Sequence, residues 1–182
     1  MSLQLFGHPF SSYTWKVLIA LWADETPFKF RMLGPDHPEN GDELRRRWPF
    51  GQFPLLVDGD QTVAEATCII EHVQAHHPGP NRWIPDGELG RRVRFLDRVF
   101  DLRVMANMQA VLFDALRPAE HRNPADRSIA RERLRTPTTG LRQIWTRVLG
   151  PLASSLRWLI VPRHRRCSTP TGSRRSTKGI HS

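Results

Sequence analysis

The sequence contains few cysteines and no long apolar run, and both shortages narrow the class of protein that it encodes. Cys68 and Cys167 lie far apart in unlike surroundings, so they offer neither a disulfide framework nor a Cys-x-x-Cys pair nor a zinc cluster. No apolar stretch approaches the roughly 20 residues that a membrane span requires. The N-terminus lacks the basic start and apolar core of a signal peptide. These absences predict a globular cytoplasmic protein with no membrane contact and no metal.

Acidic residues are missing from the end of the chain, and their absence there accounts for the whole net charge of +9. Residues 1–136 contain 18 basic and 18 acidic side chains, whereas residues 137–182 contain nine basic and no acidic ones. A basic arm that binds nucleic acid has this composition, and so has a C-terminus without function. We expect the second, so that nucleic acid is not a partner and residues 137–182 are poorly ordered.

The same C-terminal segment lacks capped, periodic helices. The stretch "TPTTG" after Arg135 is expected to break a helix in mid-course, and the residues beyond it are rich in Arg, Ser, Thr and Pro. A change of reading frame in a GC-rich gene produces such a composition. Our hypothesis is that the genuine sequence ends near Arg135 and continues out of frame; the alternative is a working basic arm.

Strand and helix signals alternate from the N-terminus to residue 76. Short apolar segments predict strands at 3–7, 27–33, 55–58 and 61–64, the last two joined as a tight hairpin at Gly59. Apolar residues at helical spacing predict one helix behind Ser11 and Ser12, a second at 43–48 and a third at 65–76. The order β-α-β-α-β-β-α predicts a mixed sheet with helices packed on it.

A Pro/Gly-rich linker at residues 79–87 separates this α/β domain, residues 1–78, from an all-helical part, residues 88–136. Apolar residues trace one face of a long helix that ends near Leu116, and Asn123 with Pro124 begins another helix. Asp97 and Asp101, four residues apart on the long helix, are expected on a solvated face. Cys68, among apolar neighbours, is expected to be buried.

The segment "GQFPLLVDGD" places Pro54 at the start of a strand, although proline cannot donate to a strand ladder. A cis bond before Pro54 would explain this position and would present the main-chain N–H and C=O of Phe53 to an added extended peptide. Glu65, where the next helix starts, could accept from an ammonium group, while the free N–H groups of that helix could bind a carboxylate. A γ-glutamyl peptide carries all of these groups.

Three segments, "SSYTWKVLIAL", "PFGQFPLLVDGD" and "AEATCIIEHV", resemble in sequence and order the thioredoxin-like half of the soluble glutathione S-transferases. The first segment is similar to the serine-type and zeta-like classes. The resemblance covers about residues 3–77 and implies a thioredoxin-like, glutathione-binding domain followed by an all-α domain that is incomplete here. It also implies a cytoplasmic, homodimeric enzyme of detoxification that joins its co-substrate glutathione to a small electrophile.

The resemblance implies roles for the residues at the motif positions. Ser11 would donate its hydroxyl to the glutathione sulfur and favour the thiolate, with Ser12 as the alternative donor. Gln52 and Phe53 would hold the glycine and cysteine parts of the tripeptide, with Phe53, next to Pro54, acting through its main chain.

Glu65 would bind the γ-glutamyl amino group, but the position after it departs from the family. A serine usually follows this acid and meets the γ-glutamyl carboxylate, whereas this chain has Ala66. The N–H of Ala66 remains, and Thr67 is expected to supply a hydroxyl from the next position. Loss of one charge-assisted hydrogen bond weakens binding by about 1.5–3 kcal/mol, or one to two powers of ten.

Each of these residues also has a purely structural explanation. The serines are ordinary N-caps, the proline can shape the sheet alone, and the glutamate is a favourable acid in a first helical turn. Three neighbours are expected to pack or to line the pocket rim rather than to do chemistry: His8, Tyr13 and Trp15. The alternative to an enzyme is a non-catalytic glutathione-fold module used for association, or an inactive truncated product.

Overall fold

The computed structural model describes residues 3–149, with side chains placed at residues 3–135 and 140. The chain divides into two compact units, Met1–Thr139 and Gly140–Ser182. The predicted domains 1–78 and 88–136 both lie within the first unit, and a boundary between them near residue 80 stays a prediction. Residues 137–149 are helical, so the prediction that residues 137–182 are poorly ordered is wrong for that part; residues 150–182 lie outside the described residues.

The first seven elements follow the predicted order β-α-β-α-β-β-α. Their bounds are β1 Leu3–Gly7, α1 Ser12–Ala23, β2 Phe28–Met32, α2 Pro38–Arg47, β3 Leu55–Asp58, β4 Gln61–Ala64 and α3 Ala66–His76. The strands form one mixed sheet in the order β2-β1-β3-β4. β1 is parallel to β2 and antiparallel to β3, and β3 and β4 form the predicted hairpin.

The sheet buries apolar side chains on both of its faces. The face that packs against α1 and α3 contributes to one cluster: Leu3, Leu5, Val17, Leu18, Leu21, Leu56, Ala66, Ile69 and Val73. The face that packs against α2 contributes to a second cluster: Phe6, Leu33, Leu44, Leu55 and Val57. Successive strand residues point to opposite faces, which explains why Leu55 and Leu56 belong to different clusters.

The second helix begins five residues before the predicted start at residue 43. Pro38 occupies its first turn, a position where the missing N–H costs no hydrogen bond. The helix buries only Asn40 and Leu44, so its sequence has almost no apolar period. Side-chain hydrogen bonds hold it instead, because Asn40 Nδ2 donates to Met32 O at 2.8 Å and Arg31 Nε donates to Asn40 Oδ1 at 2.7 Å.

A long helical segment follows the linker, as predicted, and ends at Leu116. It consists of α4 Gly87–Val99, a π-helical stretch Phe100–Met105 and α5 Ala106–Leu116. The π-helical stretch was not predicted. Asn123 caps the next helix as expected, since its Oδ1 accepts from the N–H of Ala125 at 3.1 Å and of Asp126 at 3.3 Å.

The next helix, α6, spans Pro124–Leu149, so the prediction that "TPTTG" breaks it is wrong. Pro137 removes one main-chain donor from the hydrogen-bond ladder, but the neighbouring turns keep theirs, and helix-forming residues lie on both sides. No helix within residues 3–149 is long and apolar enough to cross a membrane.

Hydrogen bonds to the Asp24 carboxylate hold the linker against the end of α1. The side chain is 8% exposed; its Oδ1 accepts from the N–H of Asn81 at 3.2 Å and from Asn81 Nδ2 at 2.6 Å, and its Oδ2 accepts from Trp83 Nε1 at 2.7 Å. A Cβ at Gly79 would lie 2.4 Å from Asp24 Cβ. The close approach of the linker to α1 therefore requires glycine at that position.

Asp24→Ala is expected to lower the free energy of unfolding by about 2–4 kcal/mol, because three part-buried hydrogen bonds lose their charged acceptor. Asp24→Asn keeps one oxygen acceptor and should lose less. Urea unfolding of the full chain measures both effects, with an unchanged slope indicating that only stability has moved. A loss below about 0.5 kcal/mol in Asp24→Ala would show that solvent replaces this acceptor.

Candidate functional site

The register of the sheet brings the motif segments together at one end. Phe6 of β1 pairs with Leu55 of β3, and Leu55 pairs with Ala64 of β4. The next position along each strand is therefore Gly7, Pro54 or Glu65. Helices α1 and α3 both begin at this end, which we call the sheet end.

The Phe53–Pro54 peptide bond at the sheet end is cis, as predicted. Pro54 is buried, whereas Phe53 is 38% exposed and its ring centroid lies 6.4 Å from that of His8. Among residues 3–149, no hydrogen bond uses the main-chain N–H or C=O of Phe53. Both groups can therefore pair with an extended ligand. Gln52 is exposed beside them.

Glu65 precedes α3 with an unusual backbone conformation, φ 67° and ψ 124°. A positive φ is uncommon for a residue with a side chain and costs roughly 1–3 kcal/mol. The carboxylate is exposed and does not cap its own helix. The first N–H groups of α3 have no acceptor within the helix, so this terminus combines an anionic side chain with donors that favour an anion.

The two residues after Glu65 differ in what they offer. Ala66 is 5% exposed and its methyl group belongs to the core cluster under α1 and α3. The Thr67 hydroxyl donates to Asp97 Oδ2 at 2.7 Å and accepts from Lys16 Nζ at 2.9 Å. The hydroxyl that was expected to replace the missing serine is thus engaged with the helical segment.

The two candidate serines have different surroundings. Ser11 is the N-cap of α1, and its Oγ accepts from the N–H of Thr14 at 3.2 Å. Its hydroxyl proton remains available for donation. Ser12 is exposed and lines a cleft of about 300 Å³. The other residues of this cleft are Tyr13, Lys16, Asp97, Phe100, Asp101 and Met105.

Lys16 is the centre of an ionic network on one side of this cleft. Its Nζ contacts the Asp97 carboxylate, the Asp101 Oδ2 at 3.2 Å and the Thr67 hydroxyl. The two aspartates are 17% and 29% exposed, so the prediction that they form a solvated face is wrong. Their partner lies 81 and 85 residues earlier in the chain, a distance over which helical spacing gives no signal.

Tyr13 lines the same cleft as Ser12 and this network. Burial raises the pKa of its hydroxyl, and the nearby carboxylates of Asp101, Glu65 and Asp97 raise it further. The phenol therefore stays protonated near neutral pH. These acids also make the cleft unfavourable for a further anion, so that a thiolate here would depend on Lys16 and on the helix N-termini.

Three other expectations concern neighbours of the site. His8 accepts from the N–H of Phe10 at 3.2 Å. Trp15 donates to Pro9 O at 2.6 Å and packs edge-on against Trp22, beside a separate apolar cleft. Cys68 is exposed, so the prediction that it is buried is wrong. The buried face of α3 carries residues 66, 69, 70 and 73, and position 68 points away from it.

Comparison with known proteins connects this arrangement to one family. Residues 5–81 match the model of the glutathione S-transferase N-terminal domain. The chain is 34% identical over 74 residues to glutathione S-transferase F6 of Arabidopsis thaliana, covering 39% of this chain and 35% of that protein. It is 28% identical over 120 residues to a probable maleylacetoacetate isomerase of Vibrio cholerae, covering 62% of this chain and 55% of that protein. The chain thus spans between a third and somewhat over half of these curated relatives.

Solved structures share the fold. A glutathione transferase family member from Pseudomonas fluorescens Pf-5, crystallised with bound glutathione, superposes with a TM-score of 0.66 at 26% identity over 84% of this chain and 75% of that one. A glutathione S-transferase from Methylobacillus flagellatus KT gives 0.68 at 18% identity over 88% and 87%. The fold is a thioredoxin-like domain followed by helices, and residues 5–81 form a glutathione S-transferase N-terminal domain.

Proposed function

We propose that the sheet end binds glutathione and activates its thiol for attack on a small electrophile. The observation that carries this proposal is the strand register, which brings the unpaired main chain of Phe53, the carboxylate of Glu65 and the N-termini of α1 and α3 to one place. The three groups complement a γ-glutamyl peptide: an ammonium, a carboxylate and a peptide unit.

Each part of glutathione has a proposed partner. The γ-glutamyl ammonium binds Glu65, and its carboxylate binds the N–H groups of Ala66 and Thr67 at the start of α3. The cysteinyl peptide unit pairs with the N–H and C=O of Phe53 as an added strand. Gln52 holds the glycine part.

The thiol then lies at the N-terminus of α1. A free thiol has a pKa near 8.5, and a hydroxyl donor together with the helix N-terminus lowers it towards neutral pH. We assign the donor role to Ser11, with Ser12 as the alternative. The thiolate forms a bond from sulfur to an electrophilic carbon. In a substitution, that carbon releases a leaving group together with the bonding electron pair. In an addition to an activated double bond, the π electron pair moves to the neighbouring carbon, which takes up a proton from water.

The electrophile is proposed to bind in the adjoining cleft. Apolar surface there comes from Tyr13, Phe100 and Met105. The charged groups of the cleft are two aspartates and one lysine, so its net charge is negative. This balance favours neutral electrophiles over anionic ones. The proposal includes a homodimer and a cytoplasmic location, and it gives glutathione the role of co-substrate.

A non-catalytic glutathione-binding module is the second candidate. Ala66 provides no hydroxyl, and that of Thr67 is engaged with Asp97, so the γ-glutamyl carboxylate meets main-chain donors only. Retention on immobilised glutathione without conjugation of a model electrophile would favour this module. Retention with conjugation would favour the enzyme.

The donor role of Ser11 can be separated from its role as a helix cap. Ser11→Ala should raise the pKa of bound glutathione by about 1–2 units, the effect of one lost hydrogen bond to a charged group, and should lower stability by about 1 kcal/mol. Ser11→Asp keeps the cap but replaces the hydroxyl donor by an anion, so it should raise the thiol pKa while preserving stability. Thiolate absorbance against pH and thermal unfolding give the two quantities.

Ser12→Ala is the matched control, because this hydroxyl caps nothing. An effect on the thiol pKa in Ser12→Ala but not in the Ser11 variants would transfer the donor role to Ser12. An unchanged pKa in all three variants would remove both serines from the mechanism.

A further inference from the structure

A second cluster of chemically active side chains lies at the opposite end of β3 and α3. Asp58 is the last residue of β3, His72 lies in the second half of α3, and His77 is its C-cap. Asp58 Oδ2 is 2.9 Å from His72 Nε2 and 2.7 Å from His77 Nε2. Among the residues with described side chains, these three form a group of potential metal ligands: one donor atom of each lies within 4.8 Å of the donor atoms of the other two.

We propose that Asp58, His72 and His77 bind a divalent transition-metal ion, with Zn²⁺ as the preferred ion. Two imidazole nitrogens and one carboxylate oxygen form a common ligand set for Zn²⁺ and leave a fourth position for water. Ligands at about 2.1 Å in a tetrahedral site lie about 3.4 Å apart. The separations of Asp58 Oδ2 from His72 Nε2 and from His77 Nε2 therefore need to widen by about 0.5 and 0.7 Å.

The three side chains are held on rigid elements and are partly shielded from water. Their exposed fractions are 10% for His72, 21% for Asp58 and 33% for His77. Asp58 pairs with Gln61 in the β3–β4 hairpin, and the N–H of His77 donates to Val73 O at 2.8 Å. A preformed site of this kind loses little conformational entropy when an ion binds.

The electrostatic surroundings also favour a cation. α3 ends at His76, and the last carbonyl groups of a helix carry partial negative charge that stabilises cations nearby. The Asp58 carboxylate places a negatively charged oxygen beside the two imidazoles. The ring of His76 lies beside that of His72, with centroids 4.4 Å apart.

Metal binding here would be independent of glutathione binding. Along α3, the rise per residue places His72 about 9 Å and His77 about 16 Å from Ala66 at the sheet end. Without an ion, the same atoms form two hydrogen bonds that fasten β3 to α3. An ion would replace those hydrogen bonds by a stronger link between the same two elements.

Titration of the full chain with Zn²⁺ alone, followed by calorimetry, tests the proposal. The wild type should bind one ion at this site, and a hundredfold excess over Kd should raise Tm by roughly 5–10 °C. His72→Gln and His77→Gln keep a donor for Asp58 but lose the imidazole ligand. Each should weaken binding at least about 100-fold, since loss of supporting groups alone costs 10- to 100-fold.

His121→Gln is the matched control, since His121 is exposed and lies outside the cluster, and it should bind Zn²⁺ like the wild type. Asp58→Asn gives a further ligand variant if a histidine variant fails to fold. Co²⁺ substitution should give visible bands without a thiolate charge-transfer band. Equal Zn²⁺ affinity in the wild type and in the ligand variants, a thiolate band, or no saturable binding below millimolar Zn²⁺ would overturn the proposal.

Discussion

Ala66→Ser is expected to tighten glutathione binding by about 10- to 100-fold. The substitution adds a hydroxyl at the first residue of α3, where we propose that the γ-glutamyl carboxylate lies. A hydrogen bond to a charged group contributes about 1.5–3 kcal/mol, which corresponds to this range of affinity. Calorimetric titration of both proteins with glutathione measures the gain directly.

The same substitution should lower the stability of the free protein slightly. Ala66 is 5% exposed, and a buried hydroxyl without a partner costs roughly 1–3 kcal/mol in protein interiors. Glutathione would supply the partner, so the difference in stability should shrink in the complex. Ala64→Ser, two residues earlier in β4, controls for a general effect of an added hydroxyl. Equal gains in both variants, or none in Ala66→Ser, would contradict the proposed place of the carboxylate.

Glu65→Gly is expected to weaken glutathione binding without lowering the stability of the protein. Removal of the carboxylate takes away the proposed partner of the γ-glutamyl ammonium and should weaken glutathione binding by about 10- to 100-fold. Glycine adopts a positive φ without strain, whereas Glu65 has φ 67°. We therefore expect the free energy of unfolding to stay unchanged or to rise by up to about 2 kcal/mol, after the greater freedom of glycine in the unfolded chain is subtracted.

Glu25→Gly is a matched control for the backbone effect. Glu25 also has a positive φ, 52°, but it lies beyond the C-terminus of α1, away from the sheet end. Its replacement should relieve strain without changing glutathione affinity. Glu65→Gln, which keeps the strained backbone and removes the charge, should lose affinity without gaining stability. Strong binding by both Glu65 variants would exclude the proposed ammonium contact.

The sequence predicted the elements whose apolar pattern is strong. The structure confirms four of these predictions: β1, the β3–β4 hairpin, α3 and the cap at Asn123. They could be predicted because strand alternation, turn residues and helix caps are local signals in the sequence. α2 was placed five residues late, because a helix that buries only Asn40 and Leu44 has almost no apolar period. The continuation of α6 through Pro137 was missed for a related reason, since one lost donor need not end a helix whose other turns are intact.

The candidate site was predictable in its local parts and not in its long-range ones. The Phe53–Pro54 cis bond and the start of α3 at Glu65 could be read from short motifs. The link from Lys16 to Asp97 and Asp101 could not, because helical spacing relates residues of one helix only. The cluster around Asp58 was missed similarly, since its partners lie 14 and 19 residues away and meet only when α3 packs on the sheet.

Amide NMR of the uniformly labelled full chain, titrated with glutathione, shows whether the tripeptide pairs with the main chain of Phe53. We expect saturable binding in which the Phe53 N–H shifts and becomes protected from hydrogen exchange, together with the N–H of Ala66. Saturable binding that leaves the Phe53 N–H unshifted and unprotected would exclude this pairing, and a spectrum that does not change at millimolar glutathione would exclude glutathione as the ligand.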